Sequence, residues 1–378
     1  MIRYLTAGDS HGPQLGCILG GMPAGLKIDT EDVNNELRRR QKGFGRGKRM
    51  EIERDEAHII SGLRNRVTTG APLLILIENK DWKNWKDKGW EDTLVSHPRP
   101  GHADLAGILK YNLSDVRPII ERASARETVC RVAAGAVCKA LLREFSISII
   151  SYIKEIGGFE VTVPETLDKK VIERIEKSPI SCPDSGSEKK IIDIINKAQS
   201  KGDSVGGIFA VFVRGCPPGL GSFAQWDLKL DARIAKAVMS IQGVKGVGIG
   251  AGFESARFLG SQFQDEILYR RGKGYIRKSN NAGGIEGGMS NGENILIEAS
   301  MKPISTLRKP LRSVDIITKK PTKAHMERAD VCAVPACSVI AEAVVAIEIA
   351  QGLVEKFGQD SLLEIRKSYK EYLKRIKR

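Results

Sequence analysis

Gly21-Met22-Pro23-Ala24-Gly25-Leu26 has an echo in the second half of the chain, Gly215-Cys216-Pro217-Pro218-Gly219-Leu220. Each copy follows a strand-like apolar run, Leu15 to Leu19 in the first and Ile208 to Val213 in the second. Each precedes a helical pattern, Thr30 to Arg40 and roughly Leu228 to Ile241. Read as a repeat, the echo predicts two related halves of one domain spanning 1–378, roughly 1–150 and 206–378, joined by 151–205. Glycine and proline dominate turns of every kind, so two unrelated turns can carry the same spelling, and the sequence leaves both readings open. The joining segment reads as two helix patterns around the polar stretch Ser178 to Gly186, with no linker rich enough to mark a domain boundary.

Working outward, a short N-terminal strand runs through Leu5, turns at Gly8-Asp9-Ser10-His11-Gly12 and resumes at Leu15. Ala71 to Ile77 is a further strand, and the Trp- and Lys-rich connection from Asn79 to Gly101 reads as a long surface loop. The best-marked helix begins at Ser124, where Ser-Ala-Arg-Glu matches a capping box in which the Ser124 hydroxyl accepts the Glu127 amide and Glu127 reaches back. Its apolar face falls at Val129, Val132, Ala133, Ala136, Val137, Ala140 and Leu141. A second strong helix opens at Pro335 and stops at Gly358.

The chain has 378 residues, 41% hydrophobic and 28% charged, enough to bury a substantial core as a globular enzyme. Its longest apolar runs fall short of a membrane span, and the N-terminus lacks a signal peptide's apolar stretch, so the expectation is a cytoplasmic protein with no membrane partner. Seven scattered cysteines without a C-x-x-C pair fit a reducing compartment and argue against a metal site. The net charge of +14 suits nucleic acid or a multiply anionic metabolite, and the location of the charge must decide.

Gly8 to Gly12 fits G-x-S-x-G, but a hydrolase elbow needs a helix directly after the serine, and here Pro13 leads into a strand pattern. His11 is the informative residue, one of five histidines and of the type suited to proton transfer near neutral pH. Around His102, the loop from His97 to Asp104 is stiffened by two prolines and a glycine, so His102, Arg99 and Asp104 can be held in place; as a plain surface turn, Asp104 would instead cap the next helix. His58 reads as structural. Arg38 to Arg49 carries seven basic residues in twelve with three glycines, a pattern for a small anion more than for RNA, since it is single and lies between a helix and a strand. The helix start at Glu121 to Arg126 combines free amides, a positive dipole and two arginines, the general recipe for a phosphate. Lys302 to Thr306 and the Gly-rich Asn280 to Gly292 are polar loops compatible with a cofactor, whereas Gly246 to Gly250 is not a dinucleotide fingerprint.

In their order along the chain, Gly8 to Gly12, Arg38 to Arg49, Arg99 to Asp104, Arg122 to Thr128, Asn280 to Gly292, Lys302 to Thr306 and Glu327 to Pro335 resemble the chorismate synthase family. The resemblance implies an α+β fold, a single-domain β-α-β sandwich of two antiparallel sheets around a helical layer, assembled as a homotetramer, an architecture that also accommodates the two halves as an internal pseudo-twofold. It implies a lyase that eliminates phosphate from 5-enolpyruvylshikimate 3-phosphate, dependent on reduced FMN (FMNH2) with no net redox change. NADPH would enter only as a source of reducing equivalents, through an external flavin reductase. FMN would be held by Arg122, Ala123, Ser124, Gln242, Gly243, Gly287, Lys302, Pro303, Ile304, Ser305, Thr306 and Arg328. Arg40 and Arg46 match positions for NADP or substrate phosphate, and Ser10, Arg49 and Arg126 positions for substrate. His11 would be general acid toward the departing phosphate, His102 would hold or protonate the reduced flavin, and Asp330 would relay the C6 proton by way of flavin N5.

Overall fold

Leu15, Cys17 and Leu19 are fully buried while Ile18 between them is exposed, the mark of a strand with one face on the core. In the computed structural model, which describes residues 1–47, 52–164, 166–272 and 274–376, this strand is the second of a four-stranded antiparallel sheet. Its members are β1 (Arg3–Ala7), β2 (Gln14–Gly20), β3 (Ala57–Ile59) and β4 (Leu73–Glu78), in the order β1-β2-β4-β3. A second antiparallel sheet holds β5 (Ser148–Ile156), β6 (Gly207–Arg214), β7 (Val244–Ile249) and β8 (Ile295–Met301) in the order β7-β8-β6-β5, with the short strand Phe159–Glu160 at its edge. His58 lies exposed on β3.

Among the described residues the longer helices are α1 (Thr30–Gln41), α2 (Asp104–Tyr111), α3 (Arg117–Ala123), α4 (Thr128–Arg143), α5 (Lys169–Lys177), α6 (Ser185–Ser200), α7 (Leu230–Met239), α8 (Val334–Phe357) and α9 (Leu362–Ile376). The chain is thus a mixed α+β protein. Helix α4 packs on β2 and β4, α8 packs on β5 and β6, and α4 and α8 pack on each other. They meet closely because Gly135 has no side chain: a Cβ there would lie 2.4 Å from that of Ala343. Buried on nearly every side, α8 is long and apolar enough to cross a membrane, yet 94% of its apolar window lies inside the fold. Within it Glu342 is fully buried, and its carboxylate accepts from Arg39 (2.7 Å), from the Ser151 amide (2.8 Å) and from the Lys139 ammonium. Burial alone would push this carboxyl up, but the two cations hold it well below the usual carboxylate range.

The two Gly-x-Pro-x-Gly-Leu turns carry the same hydrogen bonds. Thr68 Oγ1 donates to Pro23 O and accepts from the Leu26 amide (2.6 and 2.9 Å), and Ser290 Oγ does the same for Pro217 O and Leu220 (2.6 and 2.8 Å).

Three expectations are corrected. Residues 151–156 belong to β5, which escapes a search for alternation because both its faces are covered. Ile153 and Ile156 join the main core, and Tyr152 packs outward with Leu167 and Ile175 beneath α5. The two helix patterns that follow are α5 and α6. The segment from Asn79 onward is not simply a surface loop, since Asn79 and Asp81 are buried. The Ser124 capping box does not form: the Ser124 hydroxyl accepts from the Arg126 amide (3.2 Å), a 3-10 turn intervenes, and α4 starts at Thr128. Glu127 is drawn instead to Arg131, Thr6 and Gln242.

Candidate active site

The Gly8 to Gly12 turn joins β1 to β2, so no helix follows Ser10 and the elbow geometry of a serine hydrolase is absent. Gly8 adopts φ +108°, and a Cβ there would stand 2.6 Å from Gln14 O. The Asn79 amide group clamps the turn by donating to the carbonyls of Asp9, Ser10 and Gly12 at 3.1, 3.3 and 2.7 Å. The buried Ser10 hydroxyl donates to Ser124 Oγ at 3.0 Å. His11 places Nδ1 2.8 Å from Glu121 Oε1, and its backbone N–H donates to Glu121 Oε2 at 2.7 Å. Its ring stacks on Trp85 with centroids 3.9 Å apart.

The His97 to Asp104 loop, part of the same cavity wall, is held in place. Arg99 and Asp104 are buried, Arg99 Nε donates to Asp104 Oδ2 (2.8 Å) and Arg99 Nη1 to Thr306 Oγ1 (3.0 Å), and His102 Nδ1 pairs with Asp104 Oδ1. Burial would raise the Asp104 carboxyl, but hydrogen bonds from His102 and Arg99 hold it well below its ordinary range. Asp104 therefore ties the loop together and does not cap α2, whose N-cap is Ala103.

The arginines are more engaged with protein than their sequence context implies. Arg40 is buried, with Nε donating to Thr128 Oγ1 and Nη2 to Ala125 O, both at 3.0 Å. Burial, opposed by Asp55 and reinforced by the charges of Arg126 and Arg46, pulls its guanidinium down to about 10, so it stays cationic at neutral pH. Arg126 donates to Asn79 Oδ1 (2.7 Å) and Asp55 Oδ1 (2.6 Å). Arg46 pairs with Asp330 at 2.7 Å, and the Gly47 amide donates to Asp330 Oδ1 at 2.6 Å. Arg328 pairs with Asp81 at 2.7 Å. Arg49 lies outside the described residues.

These groups converge on a cavity of about 560 Å³. Ser10, His11, Arg40, Arg46, His102, Ala123, Ser124 and Arg126 are on its wall, with Gln242, Gly243, Lys302, Pro303, Ile304, Ser305, Thr306, Arg328 and Asp330. Two predicted cofactor residues are not. Arg122 faces an adjoining recess and donates to Thr6 O (2.9 Å) and Thr6 Oγ1 (2.7 Å); Gly287 sits in the turn between Ile285–Glu286 and Met289–Ser290 and is not on the cavity wall. Gln242, which borders both spaces, has its buried Oε1 without a hydrogen-bond partner among the described residues. Among the described residues, seven lysine and arginine side chains line the cavity, of which the sequence had not singled out Lys245, against the carboxylates of Glu327 and Asp330. A second lysine has a further effect: burial and then the Lys245 charge lower the Lys302 ammonium below its usual value. Glu121, Trp85, Asn79 and Asp55 are supporting residues that sequence reasoning missed; only Glu121 stands inside a quoted motif.

Among the described residues no cluster of His, Cys, Asp and Glu could hold a metal ion, and all seven cysteines are buried thiols. The chain matches the family model described as Chorismate synthase over residues 2–354. A chorismate synthase of Pelobacter propionicus is 53% identical over 100% of both chains, and one of Geobacter sulfurreducens is 52% identical over the same extent. A crystal structure of chorismate synthase superposes with a TM-score of 0.81 at 42% identity, covering 100% of this chain and 98% of that one. A cationic cavity flanked by two carboxylate-held histidines, in a fold matched from end to end, leaves one assignment: the chain belongs to the chorismate synthase family of lyases.

Proposed function

We propose that the chain converts 5-enolpyruvylshikimate 3-phosphate to chorismate by 1,4-anti elimination of phosphate, with reduced FMN in the cavity and no net oxidation, as the last common step of aromatic amino-acid biosynthesis. The observation that carries this reading is the pair of histidines, His11 on Glu121 and His102 on Asp104, on the wall of one cavity crowded with cations. The donor set also suits the cofactor. A buried acceptor without a donor is costly, so Gln242 Oε1 calls for an N–H or O–H from a ligand, and Lys302 and Arg328 supply the charge a phosphate needs. When bound, reduced FMN supplies electron density to the substrate and recovers it, so it is not consumed.

The substrate carries a phosphate and two carboxylates. Arg40, Arg46 and Arg126 hold them through charge, with several of their N–H groups already engaged by Thr128, Ala125, Asp330, Asn79 and Asp55. Arg40 and Arg46 serve the substrate phosphate in this reading, with NADP the alternative at the same positions. Ser10 and Arg49 complete the substrate set. With Nδ1 committed to Glu121, His11 presents Nε2 as the proton donor to the departing phosphate. His102, fixed by Asp104, holds its proton beside the reduced cofactor, and Asp330, held at 2.7 Å from Arg46, is the carboxylate available to the proton leaving C6.

We read the matching strand orders and turn hydrogen bonds as two related halves of one sandwich domain about a pseudo-twofold. A homotetramer would cover Phe223, Trp226 and Phe253, which are largely exposed. The protein works in the cytoplasm, with flavin reduced by an outside enzyme at the expense of NADPH. The deciding experiment is anaerobic: chemically reduced FMN and substrate, with no nicotinamide, should yield phosphate and chorismate in equal amounts. Absence of chorismate rejects the reading, and strict dependence on NADPH favours a flavin oxidoreductase. His11→Ala and His102→Ala should each lower kcat at least about 10²-fold with the fold intact.

A further inference from the structure

His11 is fixed from three directions by residues distant in sequence. Glu121, near the C-terminal end of α3, takes both the backbone N–H and ring Nδ1 of His11, one on each carboxylate oxygen, at 2.7 and 2.8 Å. One carboxylate thereby sets the backbone and the ring of the same residue, which leaves the imidazole little rotamer freedom. Trp85 covers a ring face at 3.9 Å, with an interplanar angle of 28°. Arg117, one turn before Glu121, ties the two supports together. It lies 3.5 Å from Glu121 Oε1 and 5.3 Å from the Trp85 ring centroid, and its Nη1 donates to Glu327 Oε1 at 2.8 Å. Glu327 adjoins Arg328 in sequence, and both line the cavity with Asp330. Both His11 and Glu121 side chains are about nine-tenths shielded from solvent, so water does not compete freely for the contact.

We propose that Glu121 and Trp85, joined by Arg117, are positioning residues that hold the His11 ring in its proton-donating orientation and couple it to the segment carrying Arg328 and Asp330. Neither residue is required by the chemistry itself. Each acts through His11, and the inference rests on the proposed role of His11 as acid. Glu121 carries the larger share because it binds both the backbone and the ring; Trp85 restricts tilt.

A double-mutant cycle on the full chain with reduced FMN and 5-enolpyruvylshikimate 3-phosphate tests this. Glu121→Gln keeps the size of the side chain but replaces one of its two acceptor oxygens with a donor. It should lower kcat about 10- to 100-fold with KM changed less than about two-fold, and Glu121→Asp should recover part of the loss. In a His11→Ala background the same Glu121→Gln change should alter kcat less than about two-fold, since the group it orients is gone. Equal losses in both backgrounds, or a loss expressed in KM alone, overturn the proposal. A near wild-type rate for His11→Ala would instead remove the acid role on which it rests, so the two failures are told apart. A second readout needs no turnover. In NMR spectra of histidine-labelled enzyme, the ring-proton signal that vanishes in His11→Ala should be shifted upfield by the stacked indole, and should move toward the unstacked position in Trp85→Phe and in Glu121→Gln. An unmoved signal in Glu121→Gln, with the protein folded, also overturns it.

Discussion

At the scale of single residues, the recurring device is a histidine whose Nδ1 is held by a carboxylate that an arginine holds in turn: His11 with Glu121 and Arg117, and His102 with Asp104 and Arg99. Such ion pairs leave a signature in acid. Burial would raise the Glu327 carboxyl, but its hydrogen bond from His325 and its pairing with Arg117 bring it down to about 2, from an ordinary value of 4.5. A depressed carboxylate stabilises the fold fully above its unfolded value and loses that contribution as pH falls through the folded one. The stability advantage of wild type over Glu327→Gln, on the order of 3 kcal/mol at neutral pH, should therefore shrink between pH 4.5 and about 2. Urea denaturation across that range checks it, and a constant difference would contradict it. The two histidines themselves are legible in the sequence, being few and set in stiff or glycine-bounded turns. Their partners are less so: Asp104 lies two residues from His102, but Glu121 meets His11 only because α3 is brought against the β1–β2 turn.

At the scale of elements, α4 and α8 show how local and tertiary requirements compete. Glycine inside a helix costs about 1 kcal/mol relative to alanine, so Gly135 is a poor choice for α4 in isolation. Its neighbour decides otherwise. The Cβ of an alanine would stand 2.5 Å from Ala343 Cα and 2.6 Å from Ala343 O, backbone atoms that cannot rotate aside. Gly135→Ala should thus destabilise the protein by roughly 1 to 3 kcal/mol, measured by the denaturant midpoint, despite its better helix propensity. The bodies of α1, α4, α7 and α8 are visible in the sequence because their apolar positions recur at helical spacing. The start of α4 misleads, because Ser124, Ala125 and Arg126 are drawn into the cavity wall and the cap gives way to a 3-10 turn.

At the scale of the whole molecule, the two sheets are joined through the helical layer, and one buried charge lies at the junction. Glu342 on α8 links Arg39 of α1, Lys139 of α4 and Ser151 of β5. Removing one partner from a buried ion cluster strands the others, at a cost of about 3 to 5 kcal/mol, the lower end applying here because Arg39 retains some solvent exposure. Glu342→Gln should lower unfolding free energy by that amount, and a change below about 1 kcal/mol would mean that the cluster contributes little. The amino-acid sequence by itself determined the elements with periodic faces, the paired turns, the excess of positive charge and the motifs that carry the family resemblance, because each of these is written in local spacing or composition. Only the tertiary structure decided that β5 is a strand covered on both faces, that Arg40 and Arg126 spend N–H groups on the protein, that Gly287 is not on the cavity wall, and that Glu121 and Trp85 brace His11. Those outcomes depend on contacts between residues far apart in the chain, where neither periodicity nor spacing carries a signal.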